Sequence, residues 1–120
     1  MRTVQLPHSS CSWVDIADRT DAGAVAASSA NSASDGVTSS SSGAVLNIIL
    51  ESLGSGTPAF SLFDSADNST FAAVTNATVT ASAPGVYMVL VDGAAALRKF
   101  WAVATSGAFT NAKFQAQVSR

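Results

Sequence analysis

Apolar and polar positions alternate with a period of two along most of this chain, which is the spacing of β-strands rather than helices. The stretch around which the chain is organised is Val86–Thr105, VYMVLVDGAAALRKFWAVAT, where that alternation gives way to apolar residues on both faces. Val86, Met88 and Leu90 face one way and Tyr87, Val89 and Val91 the other. Both sets are apolar, so the pattern predicts a strand covered on both faces or placed at the centre of a sheet. A turn at Asp92-Gly93 and a small Ala-rich connection lead into a second strand carrying Phe100, Trp101 and Val103. These two strands are expected to form a pair against which shorter strands are laid. Large aromatics there would dominate the core.

The other predicted strands are Trp13–Ala17, Ala44–Glu51, Ala59–Asp64, Thr70–Val74, Ala77–Ala81 and Ala112–Val118. Leu46, Ile48 and Leu50 make one apolar face, and Phe60 and Leu62 another. In the last strand Phe114, Ala116 and Val118 are expected inward, with Lys113, Gln115 and Gln117 outward. Turn chemistry separates the strands: Asp18–Asp21, Leu53-Gly54-Ser55-Gly56-Thr57-Pro58, Ser65–Ser69 and Pro84-Gly85. Turn signals every 8 to 12 residues point to a sandwich or barrel and not to a βαβ array. The expected fold is all-β, an antiparallel β-sandwich of immunoglobulin-like or jelly-roll type.

Before Ala44 the pattern thins. Thr3-Val4-Gln5-Leu6 is a short alternating piece ended by Pro7, and Gly23–Ser29 has only Val25 to bury. Eight serines fall between Ser28 and Ser42. Such a segment buries too little apolar area to offset the entropy of ordering, so it reads as an extended loop with one short strand at Val37-Thr38. Residues 1–43 are expected to be an arm and loop lending one or two strands to the domain, and residues 44–120 its core.

Composition changes this picture in one respect. Apolar residues make up 48% of the 120-residue chain but charged residues only 12%, about half the usual share. A surface so poor in charge suits a protein that works packed into an assembly, and also an extracellular or viral β protein. The charge is also uneven. Residues 1–67 hold seven acidic and two basic residues, whereas residues 68–120 hold one acidic and four basic ones. That asymmetry could orient neighbouring copies or a partner. A net charge of −2 argues against binding nucleic acid through phosphates.

Candidate chemistry is sparse. His8 and Cys11 are the sole histidine and cysteine, short of the four ligands of a structural zinc site, and one cysteine makes no internal disulfide. A Ser-His-Asp site would have to use His8, so no enzyme, cofactor or metal is expected. Asp64 and Asp67 flank a turn but lack the further oxygen ligands of a calcium loop. Asn68-Ser69-Thr70 and Asn76-Ala77-Thr78 match the glycosylation acceptor pattern. The first residues lack a continuous apolar stretch and no run approaches a membrane-spanning length, so synthesis in a cytoplasm and no membrane contact are expected. Arg98-Lys99 reads as an exposed basic pair suited to an intersubunit or turn contact.

The order Ile48-Ile49-Leu50-Glu51, Phe63–Phe71, Gly85-Val86-Tyr87 and Leu97–Val103 resembles a group of small tailed-bacteriophage proteins encoded near the major capsid protein. These carry an "ESxDxSTF"-like turn, a "GxY" turn and an "LxRYxRV"-like strand, and are similar to head decoration (cement) proteins. The resemblance covers about residues 44–118. Phe63-Asp64 stands where such proteins have Glu-Ser, and Trp101-Ala102 replaces a more basic segment. It implies a structural virion protein on the capsid exterior, made in a bacterial host's cytoplasm. Its partners would be the major capsid protein and neighbouring copies of itself. Arg98, Lys99, Asp64, Asp67, Ser39 and Ser40 are the candidate partner contacts. Alternatives are a carbohydrate-binding or host-adhesion module, using Trp13 or Trp101, and a neck or tail-completion subunit.

Overall fold

In a computed structural model the chain folds into two four-stranded antiparallel sheets packed face to face. The structure describes residues 13–40, 44–91 and 97–119, with side chains omitted for 35–40 and 97. The strands are β1 (Val14–Asp21), β2 (Ala33–Ser40), β3 (Ala44–Gly56), β4 (Ala59–Ser65), β5 (Ala72–Thr80), β6 (Gly85–Val91), β7 (Leu97–Ser106) and β8 (Phe109–Ser119). One sheet has the order β1-β8-β3-β6 and the other β2-β7-β4-β5. The pairs β4·β5, β3·β6, β2·β7 and β1·β8 are therefore nested around the β4–β5 hairpin. Of the two sandwich arrangements expected, nested pairing of eight strands is that of a jelly roll.

The core follows the alternation. Leu46, Ile48, Leu50, Phe60, Leu62, Phe114 and Val118 are buried between the sheets, with Trp101 and Val103 from β7. Phe60 and Phe114 meet across the sheets at 4.8 Å between ring centroids, tilted by 59°. The Trp101 indole N–H donates to the Arg98 carbonyl at 2.7 Å, which satisfies its polar atom inside the core.

Several expectations are corrected. The strands of Val86–Thr105 do not pair: β6 lies against β3 and β7 against β2 and β4, so the chain crosses from one sheet to the other between them. The Asp92-Gly93 turn lies outside the described residues. β6 is not covered on both faces either. It is an edge strand with Val86, Met88 and Leu90 exposed. An all-apolar period of two cannot distinguish a central strand from an edge whose outer face is bare.

β1 runs through the expected turn at Asp18–Asp21. Arg19 and Asp21 face inward and satisfy one another, so their charges do not end the strand. β3 likewise runs through Leu53–Gly56 and turns only after it. Gly54 and Gly56 allow close approach of β8: a Cβ on Gly54 would meet Thr110 Oγ1 at 2.8 Å, and Gly56 has φ +87°. The predicted strands Thr70–Val74 and Ala77–Ala81 merge into β5, bent at Asn76 (φ 57°). Much of the Ser-rich segment, expected as a loop with a strand only at Val37-Thr38, is strand β2, because pairing with β7 supplies its backbone hydrogen bonds. Val25 makes one isolated bridge to Thr105, followed by a 3-10 turn at Ala27–Ser29.

Candidate docking face

Strand polarity sets the outward face of the β1-β8-β3-β6 sheet. In β3 the inward residues Leu46, Ile48 and Leu50 leave Val45, Asn47, Ile49 and Glu51 outside. β6 pairs with it in unbroken register, Val45 opposite Leu90, Asn47 opposite Met88 and Ile49 opposite Val86. Directly opposed side chains in such a ladder lie within contact reach. The result is an apolar strip two strands wide. Leu90 is 78% exposed, Val86 64% and Met88 60%.

The strip gives way to a polar bank on β8 and β1. Asn47 Nδ2 donates to Gln117 Oε1 at 3.4 Å, and Gln117 Nε2 donates to Asp15 Oδ1 at 3.0 Å. Gln115 Nε2 donates to Glu51 Oε2 at 3.2 Å, with Lys113 Nζ 3.8 Å from the same carboxylate. Asn47 Oδ1 is buried beneath its neighbours and has no hydrogen-bond partner among the described residues. One face thus grades from bare apolar at β6 to hydrogen-bonded polar at β1, as at the margin of a protein contact.

The candidate contacts named from sequence lie on the other sheet. Asp64 is buried rather than solvated, and its carboxylate binds Arg98. Arg98 Nη2 donates to Asp64 Oδ1 at 2.9 Å and to its carbonyl at 3.0 Å, while the Arg98 backbone N–H donates to Oδ2 at 2.9 Å. This interaction raises the guanidinium above its ordinary pKa. The pair ties β4 to β7, and Arg98 and Lys99 are half-buried rather than an exposed basic pair. Lys99 Nζ sits 5.4 Å above the Phe100 ring. Ser39 and Ser40 pair through their backbones with Arg98 and Leu97.

Asp67 shapes the β4–β5 turn. Its Oδ1 accepts the N–H groups of Ser69 and Thr70 at 3.0 Å each and the Ser65 hydroxyl at 2.9 Å. Those bonds, Thr70's first and then those of Ser65 and Ser69, lower its pKa to about 2. Its Oδ1 is therefore committed to the turn. Asn68 (φ 62°) and Asn76, the two acceptor-pattern asparagines, hold left-handed positions that asparagine tolerates.

A network without any sequence signal closes the β1 end of the sandwich. Arg19 Nε binds Asp21 Oδ1 at 2.7 Å, its Nη2 donates to the Val103 carbonyl at 2.8 Å, and its guanidinium lies 5.0 Å from the Phe114 ring centroid. Thr105 Oγ1 donates to Asp21 Oδ2 at 2.7 Å. Arg19 and Asp21 thereby join β1 to β7 across the two sheets.

Two surface depressions offer little chemistry. One, on the β2-β7-β4-β5 sheet, is lined by Phe63, Phe71, alanines and hydroxyl side chains, with no titratable group. The other holds Asp15, Asp18, Arg19 and Asn31, but Arg19 is committed to Asp21 and Asp15 to Gln117. Among the described residues no three potential metal ligands converge, and no helix is long and apolar enough to cross a membrane. His8 and Cys11 lie outside the described residues. Trp101 is in the core, and Trp13 is 44% exposed.

No family model matches the chain, and no curated protein matches it. Among solved structures it is similar to the N-terminal CBM22-1 and GH10 modules of Clostridium thermocellum endo-1,4-β-D-xylanase 10B complexed with xylohexaose. The TM-score is 0.48 at 13% identity, covering 90% of this chain and 26% of that one. Jelly-roll domains serve in viral capsids and in lectins alike, so function has to be argued from the surface and not the fold.

Proposed function

We propose that this protein works by adhesion, as a structural head protein of a tailed bacteriophage that binds the outer surface of the capsid and stabilises it. The observation that carries this reading is the exposed strip of Val86, Met88 and Leu90 beside Val45 and Ile49. Each large apolar side chain covered by a partner contributes on the order of 1 kcal/mol or more. In a shell of many identical copies modest contacts add through multivalency. The low charge content and the resemblance over residues 44–118 point the same way.

The partner in this reading is the major capsid protein, and the working location is the capsid exterior. Purified protein mixed with capsids lacking it should co-sediment with them, at hundreds rather than a ring's worth of copies per particle. No association in any maturation state rejects the reading, and ring stoichiometry favours the neck or tail-completion role.

A second reading has one observation in its favour. Trp13 exposes an aromatic surface close in sequence to the β1 groove of Asp15 and Asp18, as a sugar-stacking residue would. Quenching of its fluorescence by soluble oligosaccharides tests that role.

A further inference from the structure

We infer that β6 is the pairing edge of a two-fold homodimer, in which β6 of one protomer lies antiparallel to β6 of a second copy about Met88. The two four-stranded sheets would then join into one continuous sheet. The inference goes beyond the capsid reading and does not depend on it, since it concerns the purified protein alone.

The first argument is the condition of the edges. A free strand edge invites pairing with another chain, and proteins blunt it with charge, proline, bulges or inward-pointing ionic side chains. β1 has a register break between Asp15 and Ala17 and the inward Arg19–Asp21 pair. β2 has a register break between Ser34 and Ser39, and β5 is bent at Asn76. β6 has none of these devices. Gly85–Val91 carries no charge and no proline, and its register with β3 is unbroken.

The second argument is self-complementarity. A two-fold axis at Met88 sets Met88 opposite Met88 of the second copy, Val86 opposite Leu90 and Tyr87 opposite Val89. Every outward pair is then apolar against apolar. Tyr87 and Val89 face the core yet remain half-buried at the open end of the sandwich, and the second copy would cover them. Charge favours the same choice. Two copies of an acidic protein repel, and an uncharged segment is where identical surfaces meet without like-charge contact. A seven-residue strand is a typical pairing length, but its interface is at the small end of specific contacts, so the dimer should be reversible. Pairing would also set the two outward strips side by side as one larger docking face.

Single cysteines placed in a Cys11→Ser background test both pairing and register. Like residues at position 86, or at position 90, would stand ~14 Å apart along the strand in this dimer. That exceeds the Cα separation of about 7 Å that a disulfide can bridge. Under mild oxidation Met88→Cys should therefore cross-link several-fold more than Val86→Cys or Leu90→Cys alone. A mixture of the Val86→Cys and Leu90→Cys proteins should cross-link to each other. Unmodified protein should sediment as a concentration-dependent dimer, with slower amide exchange in β6 as dimer forms.

Equal cross-linking at all three positions would mean stacked faces or random collision and would overturn the inference. So would a protein that stays monomeric at every concentration below precipitation. If such a monomer showed protected β6 amides, the chain's own residues 1–12 would be the strand that covers the edge.

Discussion

β1 and β6 are the two edges of one sheet and are built on opposite rules. β1 spends charge on closing itself: Asp15 and Asp18 outward, Arg19 and Asp21 inward, and a bulge at Ile16. β6 presents seven uncharged residues in straight register, with its three largest outward side chains bare. Uncovered, a segment of that kind is an aggregation hazard. The difference teaches that two edges of one sheet can be protected unequally: β1 carries charge and a bulge, and β6 carries neither.

The largest expected effect breaks the closed side. Asp21→Ala leaves the Arg19 guanidinium without its carboxylate and removes the acceptor of the Thr105 hydroxyl. Losing one partner of a largely buried ion pair should cost about 3 kcal/mol, read as a lower urea midpoint at unchanged m-value. A loss under about 1 kcal/mol would mean that β1 is held by its ladder alone.

On the open side, Asn47→Val removes a buried carbonyl oxygen that has no partner among the described residues, and with it the amide that donates to Gln117. The gain from deleting the unsatisfied oxygen is offset by the lost donor to Gln117 Oε1, so stability should change by less than about 1 kcal/mol and the edge-to-edge dimer should be unaffected. Leu90→Lys should change stability by less than about 0.5 kcal/mol, because Leu90 is already exposed. It should nevertheless abolish the dimer in sedimentation and raise solubility. A large stability loss would show that β6 is packed internally, which would erase the contrast between the edges.

The smallest effect is local and pH-dependent. The Asp67 carboxyl is lowered to about 2 in the folded turn. A depressed carboxyl stabilises the fold above its unfolded value and loses that contribution as pH falls through the folded one. The turn at Ser65–Thr70 should therefore loosen only on approach to pH 2. The amide shifts of Ser69 and Thr70 should titrate with Asp67, and Asp67→Asn should remove that titration.

Much of the sandwich was legible in the alternation itself. Leu46/Ile48/Leu50, Phe60/Leu62 and Phe114/Ala116/Val118 are inward as their spacing requires, because the side chains of a strand alternate strictly. What the alternation could not supply was neighbourhood. Val86, Met88 and Leu90 were readable as one face, but whether a face is covered depends on strand order, which here runs between residues far apart in sequence. Charge misled at Asp18–Asp21, which looks like a solvated turn until Val103 and Thr105 bring partners to Arg19 and Asp21 from across the sandwich. The serines of β2 misled for a related reason. An edge strand draws its order from backbone pairing and needs few apolar side chains.

The proposed docking face can be tested directly by amide hydrogen exchange on the protein mixed with capsids, compared with the protein alone. The predicted result is additional protection along Val45–Ile49 and Val86–Leu90, with the β1 edge at Asp15–Asp21 unchanged. Protection confined to β1, or to the β2-β7-β4-β5 sheet with β6 still exchanging as in the free protein, would contradict the assignment of β6 and its neighbour β3 as the contact surface.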